Sequence, residues 1–330
     1  MKTSANIFLI ICGITTLYSA LSLAESAILD EPISPIPEQH GENADKVKLG
    51  QQLFSDVRLS KDNKIACASC HQLEQGGDDG LKTSITNTGM NDLINAPTIF
   101  NSRYNFRQTW RGAFRSLELQ AEGDIRNPRH GNIGWDELLP KMNAIKEYRQ
   151  AFGEIGFEKI TREAILNVIA SYERTLITPN SKFDQYLKGD HQAINDNEKK
   201  GYQHFKNYGC IACHQGVNVG GNVFQKFGLF NDYFKKRGSI KKADYGLYNV
   251  SGKEKDKFVF RVPSLRNVEV TSPYLHDGTV KKLDEAVRLM AEYQLGATIP
   301  DKDIRQIVMF LKTLTGEFEG VSLRKGSGNE

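Results

Sequence analysis

Two stretches of this 330-residue chain have the residue types and spacing to hold an iron porphyrin: Cys67-Ala68-Ser69-Cys70-His71 and Cys210-Ile211-Ala212-Cys213-His214. Covalent c-type attachment needs two thiols placed to add to the two vinyl groups. A histidine must follow at once, so that its imidazole reaches the iron from the same side. Cys67, Cys70, Cys210 and Cys213 account for every cysteine but Cys12, which lies in an apolar leader. A zinc site or a redox dithiol is the competing reading, yet a histidine directly after each of two widely separated pairs is not usual zinc spacing. Two covalently bound haem c groups are expected, with His71 and His214 as proximal iron ligands. The sixth position of each iron then decides the chemistry: Met or His makes a closed electron-transfer site, and an open position makes a reactive one.

The rest of the chain must position these two sites. With 39% hydrophobic and 25% charged residues it has globular composition and length for two domains. A net charge of +3, from 43 basic and 40 acidic residues spread along the chain, gives no reason to expect nucleic acid. Residues 1–24 read as a cleaved secretory signal: Lys2, an apolar run from Ile7 to Tyr18, and small residues ending at Ser22-Leu23-Ala24. That places the mature protein in the periplasm, where haem attachment occurs. An uncleaved anchor or a lipoprotein at Cys12 are the alternatives; the run falls short of the roughly 20 residues that span a bilayer.

Residues 25–45, with three prolines, read as an extended arm, and 321–330 as a polar, frayed tail. A weak duplication relates Lys46–Phe54 to Lys199–Phe205, each with a Gly four residues before a Phe in an amphipathic pattern. Thr161–Leu176 and Asp301–Leu314 read as long packed helices. The break at Thr178-Pro179-Asn180-Ser181 sets a domain boundary, giving 46–178 and 179–320. The fold class expected is mainly α: two cytochrome-c-like domains, each with one haem, long loops and few strands.

The chain resembles the bacterial di-haem cytochrome c peroxidases and their methylamine-utilisation relatives from about Lys46 to Phe318. The resemblance is carried by Leu49-Gly50-x-x-Leu53-Phe54, both haem motifs, Gly76-Gly77-Asp78-Asp79, Asn95-Ala96-Pro97-Thr98-x-x-Asn101, Gln120-Ala121, Gly220-Gly221, Arg261-x-Pro263-x-Leu265-Arg266-Asn267 and Pro273-Tyr274-x-His276-Asp277-Gly278. It implies reduction of hydrogen peroxide at the His71 haem. Electrons would come from a small cytochrome c or cupredoxin through the His214 haem, whose methionine ligand would be Met290. On spacing alone Met290 reads as a core residue of an amphipathic helix, and the resemblance reverses that preference. The resemblance also implies Trp110 between the haems, although Arg111 follows it where an acid is common. It implies one calcium held by Asn95, Thr271 and Pro273, and a possible homodimer.

Two departures matter. The family's distal glutamine matches Gln120, but the glutamate ten residues later is His130. Its imidazole could act as acid and base, being neutral near pH 7, with Arg126 or Arg129 polarising the oxygen–oxygen bond. Alternatively His130 binds iron and closes the site, or lies on the surface. The loop histidine that blocks many family members is here Asn87, with Met90 the only nearby substitute, so prior reduction is not expected to be needed. His40, His191, His204 and His276 read as non-ligands. Two other functions stay open: a di-haem enzyme that oxidises side chains of a partner protein, against which Met290 counts, and a plain electron carrier.

Overall fold

A computed structural model describes residues 31–38 and 41–324. The leader expected at 1–24 lies outside the described residues, as do 25–30 of the arm, His40, and 325–330 of the tail. The order is α1 (Ala44–Phe54), α2 (Leu117–Arg126), α3 (Trp135–Ala144), α4 (Lys146–Glu154), α5 (Arg162–Thr175), α6 (Lys182–Leu187) and α7 (Asp196–Asn207). It continues β1 (Phe224–Lys226), α8 (Tyr233–Arg237), α9 (Tyr248–Ser251), β2 (Val259–Arg261), α10 (Leu283–Met290), α11 (Asp301–Lys312), β3 (Glu317–Phe318) and β4 (Val321–Ser322). The strands form two antiparallel two-stranded pairs, β1–β2 and β3–β4. The fold is mainly α with long loops. Among the described residues no helix is long and apolar enough to cross a membrane.

Local sequence explains the helix starts. Asn43 caps α1, Thr161 caps α5, and Ser181 with Asp184 and Asn195 with Glu198 close reciprocal caps on α6 and α7. One apolar core gathers α1 to α5 around Leu53, Leu138, Phe152 and Ile169. A second gathers α6, α7 and α11 around Phe183, Tyr202, Phe205 and Phe310. The duplication visible in sequence has a packing cause. A Cβ on Gly50 of α1 would fall 2.3 Å from the Val168 carbonyl oxygen of α5, and one on Gly201 of α7 would fall 1.9 Å from that of Gln306 on α11. Each haem motif thus follows a helix whose glycine lets it close directly onto a later helix.

The segment between the halves is no loose linker. Leu176, Thr178 and Ser181 are buried, and the Thr178 hydroxyl accepts from the side-chain amides of Asn101 in the first half and Asn267 in the second. The arm is anchored too: Ile33 joins the second core, and Arg266 donates to the Ser34 carbonyl while pairing with buried Asp184. The frayed tail expected after Gly320 is corrected for residues 321–324. β4 pairs with β3, and Arg324 binds Glu269, a carboxylate that gives the tail something to hold.

Candidate functional site

Each Cys-x-x-Cys-His segment forms the same short turn. The His71 amide donates to the Cys67 carbonyl at 3.0 Å, and the His214 amide to that of Cys210 at 3.0 Å. Each histidine turns Nδ1 to a backbone carbonyl, Gly77 at 3.1 Å and Val219 at 3.3 Å, which orients the ring and leaves Nε2 for a metal. Burial keeps both imidazoles neutral, pushing His71 down and His214 to about 4. Gly220 is part of this cradle: a Cβ there would strike the Pro263 carbonyl oxygen and crowd His214 Nδ1.

The four cysteines form no disulfide. Burial pushes the thiols of Cys70 and Cys210 up to about 11, so they stand as neutral thiols. The two pairs are not brought together as a zinc site requires. Among the described residues, the one cluster of His, Cys, Asp and Glu with metal-holding geometry is Asp244, His276 and Asp277. Arg237 bridges its two carboxylates and His276 Nε2 lies 2.7 Å from Asp244, so the charges there are already compensated.

A cavity of about 480 Å³ opens over Cys67, Cys70 and His71, and its wall includes Gln120, His130 and Trp110. Two buried polar atoms on that wall lack partners, Ser102 Oγ and Glu173 Oε2. Free thiols, an oriented imidazole, a large cavity and orphaned polar atoms together suit a haem.

Around His130 the structure departs from the sequence expectation. His130 Nε2 lies 2.9 Å from Asp92 Oδ2, and Nδ1 lies 3.1 Å from Asp124 Oδ1. Burial disfavours its charge, but hydrogen bonds to Asp124 and Asp92 outweigh that and raise its pKa to about 9. The side chain is therefore an imidazolium near neutral pH, and the neutral imidazole expected from sequence is corrected. With both ring nitrogens donating to carboxylates and the ring on the cavity wall, it is neither turned to a metal nor a surface residue. Gln120 Nε2 donates to Asp124 Oδ2, one turn away on α2, completing the chain Gln120–Asp124–His130–Asp92.

The arginines expected to help are engaged elsewhere: Arg129 pairs with Asp92 at 2.9 Å, and Arg126 faces Glu122 and solvent. Asn87 is pinned to the His130 loop, its amide N–H and side chain donating to the carbonyls of Arg129 and Pro128. Met90 is 60% exposed and is not on the wall of the His71 cavity.

Trp110 lies at the seam. It lines the cavity, packs on the aromatic cluster of Phe227, Tyr233, Phe260 and Tyr293, and donates Nε1 to the Asn95 carbonyl at 3.1 Å. Met290 packs on that same cluster. It is the last residue of α10, where the helix widens into a π turn over Ala291–Leu295, a distortion frequent at functional sites. Asn95 is buried, its side-chain nitrogen given to the Leu81 carbonyl at 3.0 Å, which leaves Oδ1 as its free donor oxygen. Thr271 lies against the Gly76 turn, and Pro273 directly precedes Tyr274, which bridges to Val280.

Asp92, Asp124 and Glu173 went unremarked in the sequence. Only Asp124 gave a signal, four residues after Gln120 on one helix face. Glu173 on α5 is buried, and burial with Asp124 and Glu118 nearby pushes its carboxyl up to about 8.

Fold and site define a helical protein with two Cys-x-x-Cys-His turns, one beneath a polar cavity and one beside an aromatic–methionine cluster. The description "Di-haem cytochrome c peroxidase" belongs to the family model that matches residues 44–192. The chain is 44% identical to cytochrome c peroxidase Ccp of Escherichia coli K12, over 88% of this chain and 62% of that one. It is 43% identical to cytochrome c551 peroxidase of Nitrosomonas europaea, over 87% of this chain and 85% of that one. The crystal structure of a MauG-like protein associated with microbial copper homeostasis superposes with a TM-score of 0.74 at 27% identity, covering 90% of this chain and 95% of that one. The chain belongs to the di-haem cytochrome c peroxidase family, and that family implies two haem groups.

Proposed function

We propose that the chain is a periplasmic peroxidase that reduces hydrogen peroxide to water with two electrons from a small cytochrome c or cupredoxin. The observation that carries this is the hydrogen-bonded chain Gln120–Asp124–His130–Asp92 on the wall of the His71 cavity. Cys67 and Cys70 would bind one haem covalently with His71 on its iron. Cys210 and Cys213 would bind the other, with His214 and Met290 as ligands. When bound, the haems supply one-electron iron chemistry and the site at which peroxide is activated.

The side chains do the proton work. Asp124 accepts a proton from the nearer peroxide oxygen, and the His130 imidazolium delivers one to the departing oxygen. Asp92 holds His130 charged and oriented, and Gln120 fixes the Asp124 carboxylate. Peroxide, two protons and two electrons give two waters. Trp110, in contact with both the cavity and the Met290 cluster, lies where electrons cross.

The resemblance further supports a calcium ion on Asn95 Oδ1 and the carbonyls of Thr271 and Pro273, removal of residues 1–24 on export, and a homodimer. The plain-carrier reading is disfavoured because both ring nitrogens of His130 are held by carboxylates. Steady-state peroxide consumption with a reduced cytochrome c tests the proposal. Turnover abolished in Asp124→Asn is expected, and wild-type inactivity would refute it.

A further inference from the structure

Arg261 is 4% exposed, yet its partners are all neutral oxygens. Nε donates to the Thr109 carbonyl at 3.1 Å, and Nη1 to Asn105 Oδ1 at 3.1 Å and to the Val262 carbonyl at 3.4 Å. Among the described residues no carboxylate touches it, in contrast to Arg266, which is equally buried and pairs with Asp184 at 2.7 Å. A buried charge without a counter-ion is costly, several kcal/mol even after relaxation, so a native protein keeps one for a reason. Desolvation alone lowers the Arg261 pKa to about 10, which leaves the guanidinium charged at neutral pH.

The residue lines the same cavity as His71. The acids of that wall, Asp92, Asp124 and Glu173, come from the 92–95 loop, α2 and α5. The unpaired cations, Arg111, Lys242 and Arg261, come from the Trp110 segment and the second half. Ser102, whose hydroxyl lacks a partner, stands on this wall as well.

We propose that Arg261 is an anion-binding residue at the seam between the halves, pairing with a carboxylate of the haem seated over His71. The proposal rests on the haem reading above, not on peroxide turnover. A cation beside a haem stabilises the added electron, and its removal favours the ferric state. Because the Arg261 side chain also ties down the Trp110 segment, Nε donating to the Thr109 carbonyl, two variants are needed.

Spectroelectrochemical titration of the holoprotein is the test, with resonance Raman propionate bending modes as a second readout. In Arg261→Gln the ferrous-to-ferric ratio of the His71 haem at fixed potential should fall at least ~10-fold, equivalent to ~59 mV for one electron. Arg261→Lys should retain most of the wild-type ratio, and the His214 haem should move less. Unchanged ratios and unchanged Raman modes in a fully haem-loaded Arg261→Gln protein would overturn the proposal. Should Arg261→Gln not fold, wild-type propionate modes in Arg261→Lys would overturn it and shifted modes support it. A wild-type protein that shows these shifts but consumes no peroxide would sink the functional proposal and leave this one standing.

Discussion

The Nε2 atom of His130 lies 2.9 Å from a carboxylate oxygen of Asp92, which reaches the ring from a loop 38 residues earlier in the chain. With Asp124 on the other nitrogen, the imidazole is clamped between two acids and carries a proton. It stands in the role of acid, and the carboxylate beside it takes the role of base.

The pH profile should show this. Catalysis that needs the imidazolium is full well below pH 9 and declines as pH rises through about 9. Asp92→Asn removes one raising partner, so the alkaline limb should move to lower pH. His130→Gln should lower the peroxide rate roughly 10²–10⁴-fold and abolish the limb. Stopped-flow rates across pH check all three, and an unmoved limb in Asp92→Asn would contradict the assignment.

The same clamp contributes to folding stability. His130 has a folded pKa raised above its ordinary value near 6.5, so its contribution is complete below about 6.5 and lost as pH rises through about 9. Thermal melting of wild type and His130→Gln should therefore converge at alkaline pH.

Glu173 also favours low pH, for a different reason. Its carboxyl is raised by burial to about 8, so folding favours the protonated form, and stability falls as pH rises from about 4.5 to about 8. Glu173→Gln should flatten that fall. Melting curves in this window check it, and an identical slope in the variant would contradict the role of burial.

Peroxide should react rapidly with the fully oxidised protein. Asn87 is tied to the Arg129 and Pro128 carbonyls, Met90 is exposed, and neither stands on the wall of the His71 cavity. Stopped-flow mixing without reductant checks this; a reaction that appears only after reduction would count against it.

Gly50→Ala and Gly201→Ala should each destabilise the protein by about 1–3 kcal/mol or more, since the added methyl meets a backbone oxygen rather than a movable side chain. Chemical denaturation with the haems in place measures both, and a neutral effect at either would contradict the close helix contact.

The two attachment motifs, the principal helices and the paired glycines were legible because each is local: a fixed spacing or a 3.6-residue period. The partners of His130 were not. Asp92 sits in an irregular loop with no periodicity, and the raised pKa depends on two carboxylates meeting one ring in space. The buried arm at Ile33 and the inward Glu173 were missed likewise, since proline content and helix position say nothing of what a long-range neighbour covers. Trp110 and Met290 acquired roles through family resemblance, and the structure brings them to one aromatic cluster at the seam.

The most direct measurement is the electron paramagnetic resonance spectrum of the oxidised holoprotein, taken together with its peroxide turnover. A high-spin signal from the His71 haem, lost on adding peroxide in step with turnover, is the predicted result. A low-spin bis-histidine signal from that haem in the oxidised protein, unchanged by peroxide and with no turnover, would contradict an open iron beneath a protonated His130.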